Sequence, residues 1–167
     1  MTCTARSTSG YGGFVGISAR GQSESARDLD RKLTEVICER DRTAFVQLSK
    51  FRTLRQIREV AAECSQPDWG GNNELPIDVP TANEAVEFLA VLPLPFASAE
   101  ISPEPLGAVA FEWRFAPART MVVSVSGRGI LEYAGLVGRN FEFHGRVAFT
   151  GELPEMILQH LISTRGR

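Results

Sequence analysis

The sequence predicts an α+β protein in which a four-stranded antiparallel meander sheet, formed by residues 107–150, is packed on one face by helices and follows an N-terminal helical segment. Three observations lead to this fold class. Four short segments between 107 and 150 alternate apolar and polar residues with the period of two of a half-buried strand. Proline or glycine separates each segment from the next. Upstream, apolar residues recur at the three- and four-residue steps of an amphipathic helix.

The four predicted strands share one apolar face. They are GAVAFEWRFA, RTMVVSVSG, GILEYAGLVG and NFEFHGRVAFT. In the first strand, Phe111 and Trp113 fall on one side and Glu112 falls on the other. In the third strand, Tyr133 continues the apolar face and Glu132 lies opposite to it. A meander with one apolar face must bury that face, and the helices that flank the sheet in sequence are the available cover.

The chain before the sheet divides into an arm and a helical region. Residues 1–24 are rich in glycine and serine and show no period, which predicts a flexible arm outside a single domain of residues 25–167. Helices are predicted over residues 25–64, with a break near Arg40–Thr43 where the apolar stripe lapses. The stripe of residues 29–64 is long for one small sheet to cover, so a homo-oligomer that pairs through it is an open alternative.

The segment between these helices and the sheet combines a loop with a further helix. Residues 65–80 hold three prolines, a glycine pair and an asparagine pair, which predicts a loop. Trp69 is expected either to tuck against the edge of the core or to stack on a ligand, with Asp68 bonding to the backbone that follows. Thr81–Glu84 has the form of a capping box and predicts a helix over 81–92. We further expect an extended approach to the sheet over 100–105 and a closing helix over 153–163.

Composition is typical of a globular protein that does not enter a membrane. Of 167 residues, 43% are hydrophobic and 23% are charged, with a net charge of −2. No apolar run reaches the length of a membrane span, and the start of the chain lacks the apolar core of a signal peptide. Three cysteines without metal-ligand spacing favour a reducing compartment. We therefore expect a cytoplasmic protein without a cofactor.

Charged residues are segregated along the chain. The acidic residues from Glu59 to Glu112 occur with no lysine or arginine among them, and segments richer in basic residues lie on both sides. This pattern indicates either charge pairing within the fold or a polar surface for a partner, and it does not choose between them.

The polar face of the predicted sheet carries the candidates for catalysis. Glu112, Glu132, Glu142 and His144, together with Arg146, project from it and could converge for general acid–base chemistry or for a metal held by carboxylates and an imidazole. No nucleotide-binding, zinc-protease or serine-hydrolase motif accompanies them. A solvent-facing sheet surface studded with charges is the simpler interpretation. A metal-assisted nuclease or hydrolase is therefore an alternative hypothesis, and no metal ligands are assigned.

A basic ridge on the second predicted helix gives another alternative. Arg52, Arg55 and Arg58 lie three residues apart, and forked guanidinium donors suit phosphate groups. A pI near 5.8 is unlike that of most nucleic-acid-binding domains, and an ordinary solvated helix face explains the same spacing. Nucleic-acid binding through this ridge remains an alternative hypothesis.

Several short motifs occur together in a recognisable order. They are Asp68-Trp69-Gly70-Gly71, Ser102-Pro103-Glu104-Pro105 with Gly107, Glu112-Trp113, Ser124-Val125-Ser126, Tyr133-Ala134-Gly135-Leu136, His144-Gly145 and Glu152-Leu153-Pro154. In this order and spacing, residues 64–162 resemble a family of small uncharacterised bacterial proteins. The resemblance implies an accessory role in a mobile or defence-type region, as a toxin, antitoxin, immunity or phage-related partner. The family pattern carries an acidic residue where this chain has Gly70.

A binding surface accounts for the same residues with fewer assumptions than an active site does. Trp69 and Tyr133 offer aromatic anchors, and Arg146 belongs to a charged rim of the kind that interfaces use. The first hypothesis is therefore a non-enzymatic protein that binds a host protein or the product of a neighbouring gene, as an immunity, antitoxin or inhibitor component.

Overall fold

The computed structural model describes residues 24–166, with the side chains of the first helix described at Asp28, Arg31, Lys32 and from Gln47 onward. The predicted arm of residues 1–24 lies outside the described residues apart from Glu24. The chain divides into two compact units, Met1–Arg40 and Asp41–Arg167. In the first unit, Arg31 Nη2 donates a hydrogen bond to Asp28 Oδ1 at 2.8 Å, one turn along the helix.

The described chain contains three α-helices and a sheet of five strands. The helices are α1 (Glu24–Glu63), α2 (Val79–Val91) and α3 (Glu155–Arg165), with a short 3₁₀ helix at Leu94–Phe96. The strands are β1 (Glu100–Pro103), β2 (Val109–Ala116), β3 (Arg119–Val125), β4 (Ile130–Val137) and β5 (Phe141–Ala148). Each strand pairs antiparallel with the next, in the order β1-β2-β3-β4-β5. The predicted α+β class and antiparallel meander are confirmed.

The sheet has five strands, so the prediction of four is wrong. The additional strand is β1, a segment that the sequence predicts only as an extended approach to the sheet. It pairs with β2 through Ile101 opposite Phe111, and it ends at Pro103 opposite Val109. Four residues are too few to show a convincing period of two, and proline usually argues against a strand. An edge strand tolerates it because one side of the strand needs no hydrogen-bond donors.

The first helix is continuous where the sequence predicted a break. Its backbone remains helical through Arg40–Thr43. None of these four residues is glycine or proline, and charged residues such as arginine are good helix formers. A gap in the apolar spacing therefore changes what the helix can bury there without interrupting its backbone hydrogen bonds.

The second helix begins earlier than predicted because a different residue caps it. Asp78 is the N-cap, and its Oδ1 accepts a hydrogen bond from the Thr81 N–H at 2.8 Å. Pro80 lies in the first turn, where its missing N–H leaves no hydrogen bond unmade. The predicted capping box that started at Thr81 is therefore wrong. Glu84 is buried instead of folding back to the cap.

The hydrophobic core lies between the inner face of the sheet and the helices. Phe88 of α2 packs edge-on against Phe111 and Phe149, with ring centroids 5.0 Å and 5.9 Å apart. The Trp113 indole N–H donates to the Phe96 carbonyl at 2.9 Å, which satisfies its polar atom inside the core. Fully buried positions on the inner face and on α3 include Val109, Met121, Val123, Val125, Leu131, Ile157 and Leu161.

The last part of α1 is fixed to the segment around α2 by hydrogen bonds, one of them buried. Thr53 Oγ1 donates to the Ala97 carbonyl at 2.8 Å, and Lys50 Nζ donates to the Ala90 carbonyl at 2.9 Å. Burial lowers the pKa of Lys50. Ile57 on the same side is fully buried, whereas Phe51 on another side is 64% exposed. The described part of the predicted apolar stripe therefore has a buried side and an exposed side.

Within the described residues, no helix is both long enough and apolar enough to cross a lipid bilayer.

Candidate functional site

The side of the sheet opposite the core, here called the outer face, holds most of the candidate functional residues. Strand pairing arranges them in three rows that run across the sheet. The rows are Ser102-Ala110-Ser124-Glu132-Arg146, Glu100-Glu112-Val122-Ala134-His144 and Arg114-Thr120-Leu136-Glu142. The period-two alternation found in the sequence therefore assigns polar residues to this face correctly in β2, β4 and β5.

One end of the outer face, near β1 and β2, carries a bidentate ion pair. Arg114 Nε and Nη2 donate to the two carboxylate oxygens of Glu112 at 2.6 Å and 2.9 Å, and Glu100 lies 4.0 Å from Nη1. These hydrogen bonds and charges raise the pKa of Arg114 above its ordinary value. The Glu112 carboxylate is thus held by a guanidinium.

The other end of the outer face carries a second ion pair, between neighbouring strands. Arg146 Nη2 of β5 lies 2.6 Å from Glu132 Oε1 of β4. Between the two ends, Ser124 Oγ donates to Glu104 Oε1 at 2.6 Å, which ties the loop after β1 to the middle of the sheet. No local sequence pattern predicts this last contact, because the conformation of the loop decides where the Glu104 side chain lies.

An open depression of about 430 Å³ lies on the outer face over β3, β4 and β5. Val122 and Ser124 line it on β3, Glu132 and Ala134 on β4, and His144 and Arg146 on β5, with Tyr133 and Gly145 also in its lining. Small and apolar side chains therefore lie beside charged and polar groups in one open depression.

The predicted catalytic residues are spread over the outer face. Glu112 and His144 lie in one row but on β2 and β5, three strand spacings apart, which is about 14 Å. Glu142 occupies a different row, and Glu132 is bound to Arg146. Among the described residues, no group of three or more histidine, cysteine, aspartate or glutamate side chains is placed to hold a metal ion. The structure brings Glu132, His144 and Arg146 together around the depression and leaves Glu112 apart.

Tyr133 does not project from the outer face as a partner-binding residue there would. It belongs to the inner face and is only 7% exposed, with its hydroxyl donating to Met156 Sδ at 2.6 Å. The ring lies over Gly145, where a Cβ atom would come within 2.5 Å of the Tyr133 hydroxyl oxygen. His160 of α3 packs against the same cluster, and its ring stacks on Phe143 with ring centroids 4.0 Å apart. Of the three predicted partner-binding residues, Arg146 is the one whose side chain projects from the outer face.

Trp69 lies in a loop that is built around the buried carboxylate of Glu74. The Glu74 side chain accepts hydrogen bonds from the backbone N–H groups of Asn72 and Gly70 at 3.0 Å and 3.2 Å. The Asn72 backbone donor is the main reason that the pKa of Glu74 lies below its ordinary value, against the opposing effect of burial. A Cβ atom on Gly70 would lie 2.7 Å from Glu74 Oε1, so a larger residue there would require the Glu74 side chain to shift.

The same loop confirms the structural interpretation of Trp69. Its indole N–H donates to the Leu75 carbonyl at 3.0 Å, and the ring packs against the core. Asp68 Oδ1 accepts from the Asn73 N–H at 2.8 Å, the bond to the following backbone that was expected. Trp69 and Asp68 therefore hold the loop together through these hydrogen bonds.

The predicted basic ridge on α1 is exposed but divided. Arg55 Nε donates to Glu59 Oε1 at 2.8 Å, one turn along the helix. Arg52 lines a depression beside Glu100, and Arg58 lines a different one beside α2. The three guanidinium groups therefore face three different local environments.

Comparisons with protein-family models, with curated proteins and with solved structures find no match for this chain.

Proposed function

We propose that this protein is a non-enzymatic protein-binding component and that its binding surface is the outer face of the sheet. The observation that carries the proposal is the difference in cover between the two faces. Val123, on the inner face, is fully buried. Its neighbours in the middle of the outer face are only half-buried, and Ala134 and His144 are exposed. In the described part of the chain, no helix lies over them.

The composition of the outer face suits a protein partner. Small and apolar side chains next to polar and charged groups are usual at a protein–protein interface. The ion pair Arg146–Glu132 lines the depression and Arg114–Glu112 lies apart from it on β2, and together they hold four long side chains in defined positions. Binding then requires less ordering of these side chains than it would if they were unpaired, which favours affinity.

The cellular role that we propose follows from the resemblance of residues 64–162 to small bacterial proteins of accessory regions. Such a protein would act as an immunity, antitoxin or inhibitor component, and its partner would be a host protein or the product of a neighbouring gene. An open sheet face can block a partner surface without any chemistry of its own.

The test introduces a long charged side chain at the centre of the outer face. Ala134→Arg fills the depression, and Ala62→Arg makes the same change at an exposed position on α1. Wild-type protein and both variants are immobilised, and captured bacterial proteins are identified by mass spectrometry after circular dichroism has shown that all three are folded. We expect a partner that wild type and Ala62→Arg retain equally and that Ala134→Arg binds at least about tenfold more weakly. Equal capture by all three proteins would contradict the proposal.

The same preparations separate the alternative functions. A rise in thermal stability with a divalent metal, lost in His144→Ala, would favour a metal-assisted hydrolase or nuclease. Binding to a generic DNA duplex that falls steeply with salt and weakens in Arg55→Glu would favour nucleic-acid recognition by the helix. The proposal expects neither response.

A further inference from the structure

The two edges of the sheet differ in how well they are protected against pairing with another strand. β1 has four residues and ends in Pro103, whereas β5 has eight residues, no proline and an uninterrupted register with β4. Among the described residues, no strand pairs with the other side of β5. A long, regular edge strand presents a row of unpaired backbone donors and acceptors to any strand that can approach it.

The hydrogen bonds at the ends of β4 show which backbone groups of β5 are free. The Phe149 N–H donates to the Gly129 carbonyl at 2.8 Å, in the same register as the β4–β5 ladder. On the other side of β4, the Gly138 N–H donates to the Ala118 carbonyl of the β3 side at 2.7 Å. Because alternate residues of a strand point their N–H and C=O groups to the same neighbour, the odd-numbered residues of β5 bond to β4. The residues whose backbone groups point outward are Glu142, His144, Arg146 and Ala148.

Among the residues whose backbone groups point outward, two with opposite charges lie at equal distances on either side of His144. Glu142 lies two residues before it and Arg146 two residues after it. If two copies of β5 meet antiparallel with His144 opposite His144, each Glu142 lies opposite Arg146 of the second copy. Moving the axis to Glu142 or Arg146 places like charges opposite each other, and moving it between His144 and Arg146 places an arginine opposite a histidine. Moving it between Glu142 and His144 leaves Arg146 opposite Asn140, without a carboxylate. Opposite charges directly across a ladder stabilise pairing and like charges oppose it, so the register centred on His144 is favoured.

The same register also covers apolar surface on the inner side of β5. Phe141 is 58% exposed although it points to the core side, because it lies at the edge of the sheet. The register places it opposite Val147 of the second copy, and it places Phe143 opposite Gly145. These are the close, non-hydrogen-bonded positions of an antiparallel ladder, where side chains on one face make their best contacts. α3 packs beneath β3 and β4, and its contacts favour those strands over the edge.

We propose that the protein forms a symmetric dimer in which β5 of one copy pairs antiparallel with β5 of the other about His144. The pairing joins the two five-stranded sheets into one continuous sheet. It uses the backbone edge of β5, whereas the proposed protein-binding surface is the outer face of the sheet. The side chains of His144 and Arg146 belong to both surfaces, because they also line the depression. Self-association is measured on the isolated protein, so its test does not require the proposed partner.

A charge exchange tests both the interface and its register. Glu142→Arg makes the strand basic at both ends and Arg146→Glu makes it acidic at both ends, so each variant repels itself. We expect wild type to be a dimer in analytical ultracentrifugation, each single variant to dissociate at least about tenfold more readily, and an equimolar mixture of the two to recover association. The double variant Glu142→Arg/Arg146→Glu recovers it as well, because the charges are exchanged and remain complementary. Arg114→Glu, on β2 of the same face and three strands away from β5, serves as the matched control and leaves the dimer intact.

Amide hydrogen exchange provides a readout that does not depend on the variants. In wild type, the amides of Glu142, His144 and Arg146 gain protection as protein concentration rises, while those of Phe143 and Gly145 are protected at every concentration. The proposal is overturned if wild type remains a monomer at millimolar concentration, or if the charge variants associate as wild type does. It is also overturned if Phe51→Ser, on the exposed side of α1, abolishes a dimer that the β5 variants do not change.

Discussion

The inner and outer faces of the sheet are made by the same strands but are stabilised by different interactions. Adjacent residues of β3 show the contrast: Val123 is fully buried beneath the helices, and Val122 lies half-buried in the open depression. The inner face is stabilised by removing apolar surface from water. The outer face is organised by ion pairs between exposed side chains, which contribute little free energy. Residues on a surface that contributes little to the free energy of folding can be substituted to suit a partner without unfolding the protein.

The largest expected effect comes from truncating the centre of the inner face. Phe111 is fully buried and packs against both Phe88 and Trp113. We expect Phe111→Ala to lower the free energy of unfolding by about 3–5 kcal/mol, because it removes a buried ring and leaves a cavity. Urea denaturation followed by circular dichroism measures the change. A loss below about 1 kcal/mol would show that the helices do not cover this face in solution.

The contrast between the faces can be measured at two adjacent valines. Val123→Ala removes two fully buried methyl groups and is expected to cost about 2 kcal/mol, whereas Val122→Ala is expected to cost less than about 0.5 kcal/mol. Both changes have the same effect on β propensity, so the difference between them reports burial. Equal losses in urea denaturation would mean that the outer face is covered in solution, by a second copy or by the part of the chain outside the described residues.

Much of the fold could be predicted from the sequence, and the misses have physical causes. Alternation identified β2 to β5 and the face of each residue in them. It missed β1, because four residues with a terminal proline carry too short a pattern. It also missed the cap of α2, since Asp78 and Thr81 are both good N-cap residues and the choice depends on backbone geometry.

The candidate site was less predictable than the fold. Alternation correctly placed Arg146 on the outer face and Tyr133 on the inner face, which is inconsistent with a role for Tyr133 as an exposed anchor. The bond between Ser124 and Glu104 depends on a loop, and local sequence does not determine its course. Phe141 shows that a correct face does not imply burial. It occupies an inner-face position in the strand alternation, yet it is exposed because β5 is the edge strand. Sequence period fixes the direction of a side chain, and the neighbouring strands and helices fix its burial.

Acid is expected to weaken the loop and cap that border the sheet before it affects the inner face. The pKa values of Glu74 and Asp78 lie below their ordinary values of 4.5 and 3.8, mainly because of hydrogen bonds from Asn72 and Thr81. A carboxylate whose pKa is lowered by folding contributes stability that is complete above its ordinary pKa and is lost as pH falls through its folded pKa. The melting temperature should therefore fall by a few degrees between pH 5 and pH 2 through these two groups.

The acid prediction is checked with a double variant that keeps the hydrogen-bond geometry without the charge. Asn is a good N-cap and Gln retains one acceptor oxygen, so Asp78→Asn/Glu74→Gln is expected to fold. Its melting temperature at pH 7 should be lower than that of wild type, and its further fall on acidification should be smaller. Parallel acid profiles of the two proteins would show that other groups cause the acid sensitivity.

The smallest expected effect concerns the ion pair between Arg146 and Glu132, whose side chains are 74% and 52% exposed. A double-mutant cycle with Arg146→Gln and Glu132→Gln should give a coupling energy below about 1 kcal/mol, and high salt should reduce it further, because water and counterions screen the attraction. The measurement is made at a concentration where the protein is monomeric, since Arg146 also belongs to the proposed dimer edge. A coupling energy above about 2 kcal/mol would show that this end of the outer face is shielded from solvent, and the contrast between the faces would then be smaller than their exposures indicate.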